Sequence, residues 1–284
     1  MENKKNGIYY RLSDFKGGMN IQNKKFLEFK DIDITKKEKP QYKFLVDIEK
    51  FNNTSGNCVA YWLSDEYINI FKTSKQLIEI AKPAQGMATG DNKRFVKLWW
   101  EVDLNDEFLN SNSAEESKNA NKKFVPYNKG GSFRKWYGNN DYILYFKDYG
   151  RDIAASSESR FQNSQLYLQQ SITWSKISSS PIAFRYKPFG HVFDVAGTSI
   201  FGDKDDLDYL LGLCNSIVVM GLLKAISPTL NYEVGQISTI PVKVDKNNDN
   251  YKRVNDVVNK NIELSKSDWS SFETSWDFRK HPLV

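Results

Sequence analysis

The sequence is poor in the residues that build metal centres and disulfide frameworks. Its 284 residues include only two cysteines, Cys58 and Cys214, and two histidines, His191 and His281. A zinc site would have to recruit all four at very uneven spacings, so we expect no metal centre. The two cysteines could pair, but two buried or idle thiols fit a reducing cytosol better. We therefore expect a cytoplasmic protein.

Long apolar runs and cofactor motifs are also missing. The longest apolar run, Ile217–Leu223, is far shorter than the about 20 residues that a membrane-spanning helix needs. The N-terminus, MENKKNG, lacks the apolar stretch of a secretory signal. No glycine-rich fingerprint follows a predicted strand, so we expect no cofactor in this chain. These absences argue against a membrane partner.

What the chain has is enough apolar material for a packed core and a mild positive charge. It is 40% hydrophobic and 14% aromatic, which excludes global disorder. Its formal charge is only +5, and a non-specific coat for nucleic acid is usually more basic. Any recognition of nucleic acid should therefore come from a local patch.

The patterns along the chain predict an α+β fold that is rich in strands up to about Phe201 and richer in helices after it. We predict a β-rich core over residues 1–204 and a C-terminal part of helices and a strand over residues 205–284, packed on that core as one continuous unit. The individual predictions are helices from Ser64 to Pro83, Asp205–Ile226 and Tyr251–Leu264, and strands at Ile8–Leu12, Tyr42–Ile48, Tyr142–Phe146 and Gln236–Val244.

The stretch Lys122–Asn140, KKFVPYNKGGSFRKWYGNN, combines cations with aromatic rings and contains no acidic residue. Phosphates require cations, and bases require flat apolar faces and amide edges. Lys129, Arg134 and Lys135 would meet phosphates or guanine edges. Asparagines such as Asn139 would read base edges, and Trp136 or Tyr137 would stack or wedge. The alternative is a solvated hairpin whose aromatic side chains belong to the core.

A second candidate is the glycine-punctuated turn Gly86–Phe95, GMATGDNKRF. Its backbone N–H groups could hold a phosphate. It is not a P-loop, because the lysine–hydroxyl pair at the required spacing is missing. On pattern alone, an ordinary turn between a helix and a strand explains it better.

Several blocks in collinear order, from about Tyr9 to Leu283, resemble the C-terminal part of large adenine-specific DNA methyltransferases of the phage-growth-limitation or BREX defence type. The most specific blocks are NKGG–RKWYGN in the stretch and DW–FE–SWDF in the tail. Further blocks are YWLSDEYINIF, GMATGDNKRFVKLWWEV, SITWSKISSSPIAFRY, FDVAGTSIF and LLGLCNSIVVMGLLKAISPTLNYEVGQISTIPV. The GMATGDNKRF turn also resembles the turn that opens the target-recognition domain of related type II modification enzymes. This resemblance favours a functional role for the turn over an ordinary connection.

This resemblance implies a DNA target-recognition domain. In such enzymes a separate methyltransferase domain binds S-adenosylmethionine and methylates adenine N6. This chain departs from the pattern, since it has neither a cofactor motif nor the Asn-Pro-Pro-aromatic motif that holds the target adenine. We therefore expect an excised fragment or a truncated gene product that does not methylate alone and has no catalytic residues.

The expected partners are double-stranded DNA, the methyltransferase domain and other subunits of the defence system. The alternatives are a complete defence enzyme, either nuclease or methyltransferase, and a protein-interaction subunit that docks through its aromatic tail around Trp269 and Trp276. The residues predicted to contact DNA are Thr89, Asn92, Arg94, Lys129, Arg134, Lys135, Trp136, Tyr137, Asn139 and Arg151.

Overall fold

The computed structural model describes residues 6–11, 17–30, 43–53, 61–107, 110–227 and 230–283. The chain divides into two units, Met1–Ser74 and Lys75–Val284. Helices and several small sheets occur together, which confirms the predicted α+β class. The division predicted between residues 204 and 205 lies inside the second unit and stays a prediction. Cys58 lies outside the described residues, whereas Cys214 is a buried free thiol.

The first unit is built on two antiparallel strands, β1 (Asn6–Tyr10) and β2 (Lys43–Asp47), which match the predicted strands. Tyr9 packs edge-on against Phe51 with ring centroids 5.4 Å apart. The other elements among the described residues of this unit are helix α1 (Met19–Lys30), the 3-10 segment Ile48–Asn53 and helix α2 (Asp65–Thr73).

The second unit contains two four-stranded sheets and one two-stranded sheet. One sheet has the order β10-β6-β7-β5, with β10 parallel to β6 and the other pairs antiparallel. The other large sheet has the antiparallel order β4-β11-β8-β9, and β12 pairs with β3. The strands are β3 (Lys75–Gln76), β4 (Lys82–Ala84), β5 (Val96–Leu98), β6 (Phe124–Asn128), β7 (Tyr142–Tyr145), β8 (Ser171–Trp174), β9 (Phe184–Lys187), β10 (Val192–Phe193), β11 (Ser199–Phe201) and β12 (Pro241–Val242).

Helices of the second unit cover the sheets and complete two apolar cores. One core lies around Tyr127 and Leu144 of the β10-β6-β7-β5 sheet. The other lies around Trp174 and Phe184, against the three longer C-terminal helices. The helices are α3 (Asn92–Phe95), α4 (Ala114–Ala120), α5 (Lys147–Ala154), α6 (Lys204–Cys214), α7 (Ile217–Ile226), α8 (Val234–Ser238) and α9 (Asp249–Trp269), and the 3-10 segments are Leu77–Glu79, Trp99–Glu101, Leu104–Asp106 and Ser164–Leu166.

The helix predicted from Ser64 to Pro83 ends ten residues early, at Thr73. Ser74 turns to extended backbone, and Gln76 pairs with Pro241 of β12. The prediction was wrong beyond Thr73 because a partner strand 165 residues further along the chain supplies backbone hydrogen bonds that helix periodicity does not reveal (241 − 76 = 165).

The helix predicted over Asp205–Ile226 is two helices, α6 and α7, bent by 68°. The Asn215 amide bonds both backbone groups of Phe184, accepting at 3.1 Å and donating at 2.9 Å, while the Ser216 hydroxyl caps α7. Within the described ranges no single helix is long and apolar enough to cross a membrane; only this bent pair passes by length and composition.

The strand predicted over Gln236–Val244 is also wrong at its start. Glu233 and Gln236 form a capping box, which begins the short helix α8, and only Pro241–Val242 is extended. The helix predicted at Tyr251–Leu264 is confirmed and runs further at both ends, as α9.

Candidate nucleic-acid interface

The stretch Lys122–Asn140 contains strand β6 near its start. Further along, Trp136 of the stretch lies beside Arg185 of strand β9. The Trp136 N–H donates to the Phe184 carbonyl at 2.9 Å, and the Tyr186 N–H donates back to the Trp136 carbonyl at 2.7 Å. Trp136 has φ +70°, a left-handed conformation that is costly for a bulky residue. Since paired backbone groups hold this residue, the conformation of the stretch is fixed by the fold.

The buried Lys187 holds the end of this stretch through hydrogen bonds. The Lys187 ammonium donates to the carbonyls of Gly138 and Asn139, both at 3.0 Å, and to Oδ1 of Asn140. Burial lowers the pKa of Lys187 well below its usual value, and the nearby Arg185 guanidinium adds to this effect. Lys187 therefore anchors the stretch through two backbone oxygens and one side-chain oxygen.

Arg185 supports the middle of the stretch in the same way. Its guanidinium donates to the Arg134 carbonyl at 3.3 Å and to Oγ of Ser175 at 3.2 Å. The side chain is 1% exposed, and burial lowers its pKa to about 10. Buried cations thus stabilise the loop but are out of reach of a ligand.

Most aromatic rings of the stretch face the protein. Tyr137 is 4% exposed, and burial raises its pKa. Trp136 is half-buried in an open apolar groove of about 660 Å³ that also contains Leu213 and Val254. Phe133, at 49% exposed, is the ring that points outward. The alternative predicted for these aromatic side chains, packing in the core, describes Tyr137 well.

The predicted cations Arg134 and Lys135 already have partners in the protein. Arg134 forms a 2.8 Å ion pair with Asp268 and lies over the Trp269 ring, 5.0 Å from its centroid. The Lys135 ammonium donates to the Asn215 carbonyl at 3.0 Å, at the C-terminus of α6, where carbonyls lack helical partners.

Two further residues predicted to contact DNA, Arg151 and Asn139, also have partners within the protein. Arg151 is exposed and pairs with Asp148 at 2.8 Å. Asn139 is buried, and its amide donates to the Ser132 carbonyl at 2.9 Å. These residues are separated from the glycine turn in the sequence and share no hydrogen bond with it.

The turn Gly86–Phe95 needs its glycines for close backbone contact. A Cβ atom at Gly86 would lie 1.9 Å from the Phe193 carbonyl oxygen. Gly90 has φ +74°, and a Cβ there would lie 2.8 Å from the carbonyl carbon of Glu158. Asp91 accepts the Arg94 backbone N–H at 3.0 Å and begins α3.

This turn and the basic stretch meet at one hydrogen-bonded cluster. Oδ1 of Asn92 accepts from the Thr89 hydroxyl at 2.8 Å and from the Lys129 ammonium at 3.3 Å. Lys129 also pairs with the buried Asp194 at 3.4 Å. The Tyr127 hydroxyl donates to the same Asp194 oxygen at 2.6 Å. The fold thus brings together three of the predicted residues, Thr89, Asn92 and Lys129.

The outward side of the turn carries cations that have no ion-pair partner among the residues that the structure describes. Arg94 is exposed and lies over the Phe95 ring at 4.8 Å; no carboxylate within the described ranges pairs with it. Lys93 is exposed beside it. Arg160 is exposed too, and its backbone pairs with Ala88 through bonds of 2.8 and 3.1 Å. Sequence analysis did not select Lys93 or Arg160, and no local pattern places Arg160 beside the turn.

Two buried titratable groups flank the basic stretch. The backbone of Glu107 bridges to Phe124. Its carboxylate oxygens have no hydrogen-bond partner among the described residues, and burial raises its pKa to about 7. Nδ1 of His191 lies 3.2 Å from the Pro188 carbonyl, so it carries the proton and donates. Burial lowers the pKa of His191 to about 3. Across the described part of the chain, no three His, Cys, Asp or Glu side chains cluster as a metal site.

Comparison with known proteins shows that the chain is similar to adenine-specific methyltransferases. No family model matches the chain. It is 32% identical over 290 aligned residues to the adenine-specific methyltransferase PglX of Lacticaseibacillus casei (strain Zhang), which covers 98% of the chain. It is also 32% identical over 238 residues to the adenine-specific methyltransferase BrxX of Escherichia coli O9:H4 (strain HS), which covers 82% of the chain.

These matches confirm the resemblance inferred from the sequence. The chain corresponds to a part of such methyltransferases, consistent with the C-terminal region of the BREX type. It spans 23% of the length of PglX and 18% of the length of BrxX, less than a quarter in each case.

Proposed function

We propose that this chain is the DNA target-recognition region of an adenine-specific methyltransferase of a phage-defence system. The observation that carries the proposal is the turn Gly86–Phe95, where the exposed Arg94, and Arg160 beside the turn, have no ion-pair partner among the described residues while Asn92 is held in place. The names of the similar proteins, both adenine-specific methyltransferases, support the same function.

The turn is a better DNA contact than the basic stretch because its cations are available. Neutralising a phosphate with Arg134 would require it to leave Asp268 and Trp269. Stacking a base on Tyr137 would require the buried ring to come out of the core. Arg94 has no ion pair to give up among the described residues, and its only ring contact there is with the neighbouring Phe95, so its charge can displace DNA counterions.

The proposed partners are double-stranded DNA and the methyltransferase domain of the parent protein. That domain would bind S-adenosylmethionine and methylate an adenine flipped out of the duplex. The residues of this chain would fix the register of the duplex and read its base edges.

The test is duplex binding measured by fluorescence anisotropy at several salt concentrations. Binding should weaken steeply with salt, and the double variant Arg94→Ala, Arg160→Ala should lower the salt slope by about 2, since each phosphate contact contributes about 1. The matched control, Arg134→Ala with Lys135→Ala, removes the same formal charge from partnered cations and should keep the wild-type slope.

Two outcomes would contradict the proposal. One is duplex binding that is absent at low salt. The other is a slope that falls only in the Arg134 and Lys135 variant, which would move the interface to the basic stretch. Methyl transfer by this chain alone, measured with radiolabelled S-adenosylmethionine, would instead favour the alternative of a complete enzyme.

A further inference from the structure

The hydrogen bonds at Asn92 fix which end of its amide faces solvent. The Lys129 ammonium has only donors, so the Asn92 atom 3.3 Å away must be the oxygen. The Thr89 hydroxyl donates to the same oxygen at 2.8 Å. Both bonds therefore hold Oδ1 on the protein side.

The other end of the amide is left as a pure donor. Asn92 is exposed, and its Nδ2 has no hydrogen-bond partner among the residues that the structure describes. Arg94, two residues further along the chain, is exposed and offers only donors. The Asn92 amide therefore presents N–H groups to a ligand, with its own acceptor, Oδ1, already occupied; the neighbouring Asp91 carboxylate is exposed and accepts the Arg94 backbone N–H through its Oδ1.

The position of Asn92 depends on a buried carboxylate. Asp194, 4% exposed, accepts from the Tyr127 hydroxyl at 2.6 Å and from the Ala196 N–H at 2.7 Å. Its Oδ2 also accepts from the Lys129 ammonium, which is how Lys129 stays against Asn92. Asp194 is thus a positioning residue that acts on Asn92 through Lys129.

A side chain that offers only donors selects among base edges. In the major groove, guanine shows two acceptors, N7 and O6, and no donor, whereas adenine shows an acceptor and a donor. An asparagine that reads adenine needs both ends of its amide, and here one end is taken. We propose that Asn92 reads a guanine in the major groove of the target site, with Arg94 on a neighbouring phosphate, an inference that rests on the proposed function.

The experiment begins with selection of preferred duplexes from a randomised pool by the full chain. Each selected guanine is then replaced by 7-deazaguanine, which lacks the N7 acceptor, or by hypoxanthine, which keeps N7 and O6. At one guanine, 7-deazaguanine should weaken binding by about fivefold or more, in the range of a base contact. Hypoxanthine at the same position should bind like guanine.

The matched variant is Asn92→Asp, which keeps an oxygen for Thr89 and Lys129 but replaces the outward donor by an acceptor. It should remove the discrimination between guanine and 7-deazaguanine at that position while the other positions keep theirs. Asn247→Asp makes the same charge change at an exposed asparagine of another turn and should leave discrimination intact. Thermal melting should show that both variants are folded.

The outcomes separate the two proposals. Sequence-specific binding that Asn92→Asp leaves unchanged at every guanine, or a selected adenine or thymine at the position that Asn92→Asp affects, would overturn the guanine inference and leave the proposed function intact. Failure of the wild-type chain to bind duplexes, or binding without any preference, would overturn the proposed function and this inference with it.

Discussion

The turn Gly86–Phe95 and the stretch Lys122–Asn140 contain similar residue types but differ in what their cations contact. Both contain glycines, asparagines and basic residues. In the stretch, Arg134 pairs with Asp268 and Lys135 with the end of α6. In the turn, Arg94 has a ring beneath it and no carboxylate partner in the described part of the chain.

The difference shows that a basic segment has two separate uses. A cation that satisfies a carboxylate or a helix-end carbonyl stabilises the fold and has little free charge for a ligand. A cation that lacks such a partner contributes little to stability and keeps its charge for phosphates. The following changes test this contrast, from the largest expected effect to the smallest.

Replacing the buried anchor of the stretch should cost the most stability. Lys187→Met keeps the length of the side chain but leaves the carbonyls of Gly138 and Asn139 without donors. We expect the free energy of unfolding to fall by about 3 kcal/mol, since each unsatisfied buried acceptor costs about 1–3 kcal/mol. Urea unfolding measures this, with Lys147→Met at an exposed position as the control. Equal stability of Lys187→Met and wild type would refute the anchoring role.

Glu107 and His191, the two buried groups beside the stretch, should change the free energy of unfolding in opposite directions as the pH rises. Glu107 is an acid whose pKa rises from 4.5 to about 7 on folding, so its contribution to stability falls as the pH rises through that window. His191 has a pKa that falls from 6.5 to about 3, so its contribution is complete above pH 6.5 and is lost as the pH falls.

In the Glu107→Gln variant, the pH dependence of the unfolding free energy that arises from His191 should no longer be offset by Glu107. Relative to wild type, its unfolding free energy should gain a positive slope of about 1.4 kcal/mol per pH unit between the two unfolded pKa values. His191→Gln should change the slope by a similar amount in the opposite direction. Parallel pH profiles for wild type and both variants, from urea unfolding, would show that neither group is titrating as described.

Single arginine variants should separate stability from binding. Arg134→Ala should lower the unfolding free energy by about 1 kcal/mol, through a partly exposed ion pair and a cation–π contact, and leave the affinity for duplexes unchanged. Arg94→Ala should change stability by less than about 0.5 kcal/mol and lower the salt slope of binding by about 1. The reverse pattern would invert the comparison between the two regions.

Arg151 should give the smallest effect. Its ion pair with Asp148 is exposed, so Arg151→Ala should lower stability by no more than about 0.5 kcal/mol. Duplex affinity should stay at the wild-type value at moderate salt. A clear loss of affinity by anisotropy would restore Arg151 as the DNA contact predicted from the sequence.

Local patterns predicted the elements whose determinants are local. Strands β1, β2 and β7 and helix α9 lie where alternation and helical spacing placed them. The extended backbone of β3, where a helix was predicted, depends on pairing with β12, and the break between α6 and α7 depends on hydrogen bonds between the Asn215 side-chain amide and the backbone of Phe184. Contacts of that range leave no mark in a local window.

The candidate site divides along the same line. The glycine turn and its residues Thr89 and Asn92 were recognisable from a short motif. The inward orientation of Arg134 is set by Asp268, 134 positions away, and Lys135 is held by a carbonyl 80 positions away. Arg160 joins the turn only through backbone pairing with Ala88. Composition therefore identified the basic segments but could not tell which of them faces outward.

The anchoring of the stretch by Lys187 has a consequence for how readily this protein can change. Two of the three oxygens that the lysine binds are main-chain carbonyls, which every amino acid provides, and the third belongs to the buried Asn140, so this anchor does not depend on the identities of the exposed residues of the loop. Exposed positions such as Ser132 and Phe133 can be exchanged while the scaffold keeps its form. New side chains can therefore be introduced at the exposed positions of this loop, by mutation in nature or by engineering, without a change in the fold that supports it.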